Sequence, residues 1–264
     1  MAKRRLKRRQ QKRIKTLVIL GVTLGIVFLI TRPTFISRVK LWFYHPDTSQ
    51  VDMQESQSEL SDYAVFGIDV SEYQEVVVWK KLMHEEAPDF VLVRASAGND
   101  YRDRYFTYNW RETGRSDVIR GAYHYYRPDE NSISQAENFI RQVDLEVGDL
   151  PPILDIEDYS SVQSLSRMKT GLLRWLHMVE DHYGVKPIIY TYYKFYESHL
   201  KDDERFNDYP LWLARYGHEG NYIQPGKDWL FWQYSKKGRV AGIHDDVDLN
   251  VFFDDKEKLM ELCL

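Results

Sequence analysis

Four acidic residues carry the chemistry this chain can do. Asp155 and Glu157 lie two apart in Ile153-Leu154-Asp155-Ile156-Glu157, Asp69 sits in Gly67-Ile68-Asp69-Val70-Ser71, and Asp248 in Asp246-Val247-Asp248-Leu249-Asn250. Residues two apart on a strand point to one face. The flanking Leu154 and Ile156 therefore face a helix layer, while both carboxylates face the other way. Crowding raises the cost of ionising both, so one holds its proton to higher pH. A proton-holding acid beside an ionised neighbour is what cleavage of a glycosidic bond requires. The plainer alternative stays open: these acids pair with lysines and arginines of the fold, above all Asp69 and Asp248 taken singly. A metal site is a second alternative, chiefly at His244-Asp245-Asp246-Val247-Asp248. That loop lacks the alternation of an EF-hand, and no paired histidines lie near the strand ends, so no metal and no other cofactor is expected.

The elements that must position these acids alternate from Ala64 onward. Strands are expected at 64–71, Phe90–Ala95, Val118–Tyr126, Pro152–Glu157 and Pro187–Tyr192. Between them the periodicity predicts helices over Val76–Glu86, Arg104–Arg115, Ser132–Glu146 and about Ser164 to Tyr183, with a short one near Phe195–Leu200. Three more strands, Leu211–Tyr216, Trp229–Ser235 and Arg239–Ile243, follow without helices, and a helix at Asp255–Leu262 closes the chain. The fold class expected is α/β: a TIM-like barrel of about five β/α units followed by three β-strands. In such a barrel the site lies at the carboxyl ends of the strands. Asp69 ends the first strand there, Asp155 and Glu157 the fourth, and Asp248 follows the eighth.

Aromatic residues gather at the same end. Tyr123 and Tyr125 alternate along the third strand, Tyr190 and Tyr192 along the fifth, Trp212 lies on the sixth, and Gln233 sits between Trp232 and Tyr234 on the seventh. The aromatic share of 14% suits a sugar cleft and a thick barrel core alike. Tyr123, Tyr125, Tyr190, Trp212 and Gln233 are the candidates for holding substrate.

The net charge of −4 conceals an asymmetry. Nine of the 36 basic residues lie in residues 1–16, which hold no acid, so the rest of the chain carries 27 basic against 40 acidic residues. An acidic body argues against nucleic acid as a partner. The basic run leads into Leu17–Ile30, an apolar stretch broken only by Thr23, followed by Arg32-Pro33 without a small-residue cleavage pattern. This reads as an uncleaved signal anchor, with the basic end held in the cytoplasm. The expected organisation is a basic cytoplasmic tail at 1–16, a transmembrane helix at 17–31, a polar juxtamembrane stalk at 32–63 and a catalytic domain at 64–264. That places the domain on the periplasmic or extracellular side of the cytoplasmic membrane. The single Cys263 can form no internal disulfide.

At these residues the chain resembles glycoside hydrolase family 25, the muramidase-type lysozymes. GIDVSEYQ, FVLVRASAG, GAYHYYRP, ILDIE, PIIYTYY, LWLARY, FWQYS and VDLNVF occur in family order from about Val65 to Phe253. The resemblance implies hydrolysis of the β-1,4 bond between N-acetylmuramic acid and N-acetylglucosamine in peptidoglycan. It implies Glu157 as general acid and Asp155 as the residue orienting or stabilising the substrate's 2-acetamido group, with that group as a candidate nucleophile; Asp69 and Asp248 complete the acidic floor. The chain departs from the family at Ala97, where members often carry Glu. The rival from another class is a non-catalytic, membrane-tethered peptidoglycan-binding protein.

Overall fold

The computed structural model describes residues 50–217, 222–226 and 229–264. Ten strands lie within them: β1 (Val51–Asp52), β2 (Phe66–Val70), β3 (Phe90–Ala97), β4 (Tyr101–Arg102), β5 (Ile119–Tyr125), β6 (Ile153–Asp155), β7 (Ile188–Tyr192), β8 (Leu211–Ala214), β9 (Phe231–Arg239) and β10 (Val247–Phe252). From β2 to β9, leaving aside β4, each strand runs parallel to the next around the ring. β10 then closes the barrel, antiparallel to both β9 and β2. β4 folds back on β3, and β1 lies outside the ring beside β9.

The strands are buried on both faces, as parallel strands under helices must be. Phe90 and Leu92 of β3 point into the barrel with Tyr123, Ile153, Ile188, Tyr190, Trp212 and Phe231. Val91, Val93 and Ala95 point outward into the helix layer. Leu154 and Ile156 also face that layer, as the alternation implies. The barrel closes tightly at Gly67, where a Cβ would stand 2.5 Å from the Phe90 ring.

Helices α1 (Met53–Glu59), α2 (Trp79–Glu85), α3 (Phe106–Thr113), α4 (Ser132–Gln142) and α5 (Leu165–Tyr183) carry the outer layer. α5 begins where Ser164 accepts the Arg167 N–H, and it ends at Gly184, whose φ of 75° a residue with a side chain adopts only under strain. It buries Met168, Leu172, Leu173, Trp175, Leu176 and Val179, each worth about 1.5–3 kcal/mol.

Two expectations need correction. The last barrel strand is Val247–Phe252 and not Arg239–Ile243. Gly242, at φ 89°, instead turns the chain where its carbonyl accepts the Val78 N–H. The true strand alternates: Val247, Leu249 and Val251 enter the helix layer, while Asn250 and Phe252 are buried toward the barrel. The stalk also ends early, because residues 51–60 belong to the compact unit. Asp52 caps α1 by accepting the Gln54 and Glu55 N–H groups, and Ser56 Oγ meets the Tyr234 hydroxyl at 2.8 Å. Met53, 1% exposed, enters the main core. Met53→Ala is expected to cost about 2–5 kcal/mol, read from the urea midpoint; an unchanged midpoint would mean this segment is dispensable. The tail and anchor expected at 1–16 and 17–31 lie outside the described residues, among which no helix is long and apolar enough to cross a membrane.

Candidate active site

The reversed direction of β10 builds the floor of the site. Its first residues lie at the rim where the parallel strands end, so Asp248 stands directly opposite Asp69 of β2. Asp248 thus reaches the site by opening an antiparallel strand, not by following a parallel one. The two carboxyl groups share a hydrogen bond, which requires a proton on one of them.

Two amides hold Asp69 from the other side. Gln233 Nε2 and Asn250 Nδ2 each donate to Asp69 Oδ2 at 2.8 Å. The orientation of both is determined by their oxygens. Gln233 Oε1 accepts from the hydroxyls of Tyr190 (2.8 Å) and Tyr216 (2.5 Å), and Asn250 Oδ1 accepts from Trp212 Nε1 (2.8 Å). Burial outweighs these hydrogen bonds and pushes the Asp69 carboxyl up to about 6.

Asp155 ends β6, and the ladder continues one step further as the Ile156 N–H donates to the Tyr190 carbonyl. This keeps the chain extended, so Glu157 shares the face of Asp155. Asp155 is 4% exposed, and its Oδ1 has no hydrogen-bond partner. Burial, then the charges of Glu157 and Asp69, hold its carboxyl well above the usual range, with Arg94 pulling the other way. Glu157 is also raised, first by burial; the Tyr192 hydroxyl, donating to its Oε2 at 3.0 Å, opposes this.

These shifts set a pH dependence. Asp69 is protonated in the fold up to about 6 but ionises near 3.8 when unfolded. Between those values the folded state binds the extra proton, so its contribution to stability is full below 3.8 and lost as pH rises through 6. The melting temperature is expected to fall across this window, and Asp69→Asn to flatten the slope. A melting temperature that rises steadily from pH 4 to 6 would contradict the assignment.

The floor opens into a cleft of about 490 Å³ lined by all nine expected residues: Asp69, Asp155, Glu157, Asp248, Tyr123, Tyr125, Tyr190, Trp212 and Gln233. Their exposures differ. Tyr123, Tyr190 and Trp212 are buried and form the base, while Tyr125 is half-buried and donates its hydroxyl to Asp158. The open ring is Tyr73, 72% exposed, which sequence reasoning missed. Also missed were Asn250, two residues beyond Asp248 on the same strand face, and the wall of Arg94, Glu72 and Tyr101; Tyr192, expected among the rim aromatics but not among the substrate contacts, reaches Glu157. Ala97 is buried, paired in register with Tyr101 and Tyr125. Among the described residues, no three His, Cys, Asp or Glu side chains are grouped to hold a metal ion.

The model of the family described as Glycosyl hydrolases family 25 matches residues 68–243. The chain belongs to glycosyl hydrolase family 25. This family 25 enzyme is 31% identical over 210 residues to Lysozyme M1 of Streptomyces globisporus, covering 75% of the chain and 71% of that protein. It is 37% identical over 203 residues to the uncharacterized protein YegX of Escherichia coli K12, covering 75% of the chain and 73% of the relative. Its fold is similar to that of a family 25 glycosyl hydrolase from Bacillus anthracis, with a TM-score of 0.69 and 29% identity over 76% of this chain and 94% of that one. The enzyme is therefore a glycoside hydrolase built on the family's eight-stranded α/β barrel.

Proposed function

We propose that this enzyme is a muramidase, hydrolysing the β-1,4 bond between N-acetylmuramic acid and N-acetylglucosamine in peptidoglycan with assistance from the substrate's own 2-acetamido group. The observation that carries this reading is the pair at the end of β6: a buried carboxylate with one oxygen unpartnered, beside a second carboxyl raised by burial. An acetamido N–H from the muramic acid fills the empty acceptor position on Asp155 Oδ1. That contact favours the ionised form of Asp155, and the proton stays on Glu157.

In the first step the acetamido carbonyl oxygen bonds to the anomeric carbon as the bond to the bridging oxygen breaks. Glu157 gives its proton to that leaving oxygen, and ionised Asp155 stabilises the positive charge on the cyclised acetamido group. In the second, water adds its hydroxyl to the anomeric carbon, its proton returns to Glu157, and the acetamido ring opens. Two displacements at one carbon retain the anomeric configuration. Asp69 and Asp248, sharing a hydrogen bond beneath, keep the floor from accumulating full charge. Release of soluble fragments from purified peptidoglycan, with the initial anomer followed by NMR, tests the reaction. Retained product supports assistance by the acetamido group, and inverted product would remove it.

The basic residues 1–16 and the apolar run at 17–31 support a single-pass anchor with the catalytic domain outside the cytoplasmic membrane. Residues 32–49, between that run and the compact unit that begins near residue 50, would serve as the tether. Such a tether restricts the enzyme to glycan near its own membrane. A mature protein that begins after residue 31 would refute the anchoring.

A further inference from the structure

Two cations, Arg94 and Arg127, line the acid-floored cleft, and they are held differently. Arg127 is half-buried and pairs with Glu130 at 3.2 Å. Arg94 is 7% exposed and continues the inward face of β3 that begins with Phe90 and Leu92. Its Nε donates to Asp103 Oδ2 at 2.8 Å and its Nη2 to Glu72 Oε1 at 3.0 Å. Both carboxylates are themselves anchored. Asp103 accepts the backbone N–H groups of Glu72 (2.9 Å) and Tyr105 (3.0 Å), and the other oxygen of Glu72 accepts the Tyr101 hydroxyl. The Tyr73 ring stacks on the guanidinium, 4.9 Å from its centre.

A guanidinium carries five N–H donors in a fixed plane. Two are taken here, and no hydrogen bond among the described residues engages Nη1. A pre-oriented donor thus borders the cleft on the wall near Asp155, whose charge it senses. One guanidinium between two carboxylates leaves the wall net negative, so it does not attract a free anion. It offers instead a directional, charge-assisted N–H to a neutral oxygen acceptor.

We infer that Arg94 reads the lactyl branch on O3 of muramic acid through the branch's carbonyl oxygen, and so sets the preference for muramyl glycan over an unbranched chain of N-acetylglucosamine. This rests on the muramidase reading above. The lactyl ether is what distinguishes the two sugars. In a glycan that carries stem peptides its carboxyl is an amide, which supplies the neutral acceptor that this wall suits. An unbranched sugar leaves this donor to solvent water, and sites built on hydrogen bonds discriminate against analogues that lack the group they bind. Arg94 is a specificity residue in this account, distinct from the proton donor.

The experiment uses the detergent-solubilised full chain carrying Glu157→Gln, which binds without cutting. It is titrated calorimetrically with a muramyl tetrasaccharide whose lactyl carboxyls are amidated, and with the tetramer of N-acetylglucosamine. Adding Arg94→Gln is expected to weaken the muramyl ligand about tenfold to a hundredfold and the unbranched tetramer less than twofold. Arg94→Lys keeps a cation between Glu72 and Asp103 but loses the planar fork; it is expected to show the same selective loss, smaller in size. Equal weakening of both ligands by both variants would overturn the inference and assign Arg94 to holding the wall or to the charge on Asp155. No weakening of either ligand would overturn it too. If the parent protein binds neither glycan, the muramidase reading itself fails, a result separable from a parent that binds both without discrimination by Arg94.

Discussion

Glu157→Gln is expected to lower turnover on peptidoglycan at least about 10²-fold while leaving the fold and glycan binding close to unchanged. The amide matches the carboxyl in size and can still accept from the Tyr192 hydroxyl, now 3.0 Å from Glu157 Oε2. What it lacks is a proton to give. The leaving oxygen of a sugar is a poor anion to release, so the loss falls on kcat more than on KM. The environment of Glu157 is built for this duty: burial raises its carboxyl, and the neighbouring Asp158 and Asp69 raise it further. Near-normal turnover by the variant would take the acid role away from Glu157.

Asp155→Asn is expected to cost about 10²–10³-fold in kcat, the range found for losing one pre-oriented electrostatic stabiliser. The substitution is nearly isosteric in a site 4% exposed, so packing is preserved. It removes the negative charge that must face the cyclised acetamido group, and an amide in the wrong orientation presents N–H to N–H. Buried Asp155 also has the most to gain from substrate, since its Oδ1 has no partner within the protein. The loss should be smaller on a glycan de-N-acetylated at muramic acid, where no acetamido group remains to be assisted; measured on both glycans, an equal loss would contradict substrate assistance.

The carboxylate pair was legible because a period of two is a local property. Apolar Leu154 and Ile156 declare which way Asp155 and Glu157 face, and the structure keeps that alternation through Ile156. Asp248 lies at the expected rim, but it opens an antiparallel strand there and does not follow a parallel one. Its placement depends on β10 running backwards, and strand direction in a closing barrel is set by long-range pairing. Residues 51–60 resemble a stalk by composition, which is polar. Val51, Met53, Ser56 and Leu60 are buried, too few apolar side chains to register as a pattern. The Arg94 wall was hidden differently: Glu72, Arg94 and the stretch from Tyr101 to Asp103 come from separate segments, and only the fold brings them into contact. The inward alternation of Phe90, Leu92 and Arg94 was the one available signal, a charge continuing an apolar face.

The most direct test of the muramidase assignment is the identity of the new reducing ends. Purified peptidoglycan digested by the enzyme is reduced with borohydride, and the fragments are sequenced by mass spectrometry. Reduced muramic acid at the new ends, absent from a Glu157→Gln digest, is the predicted result. Reduced glucosamine at those ends would keep the glycosidase and overturn the bond assigned to it.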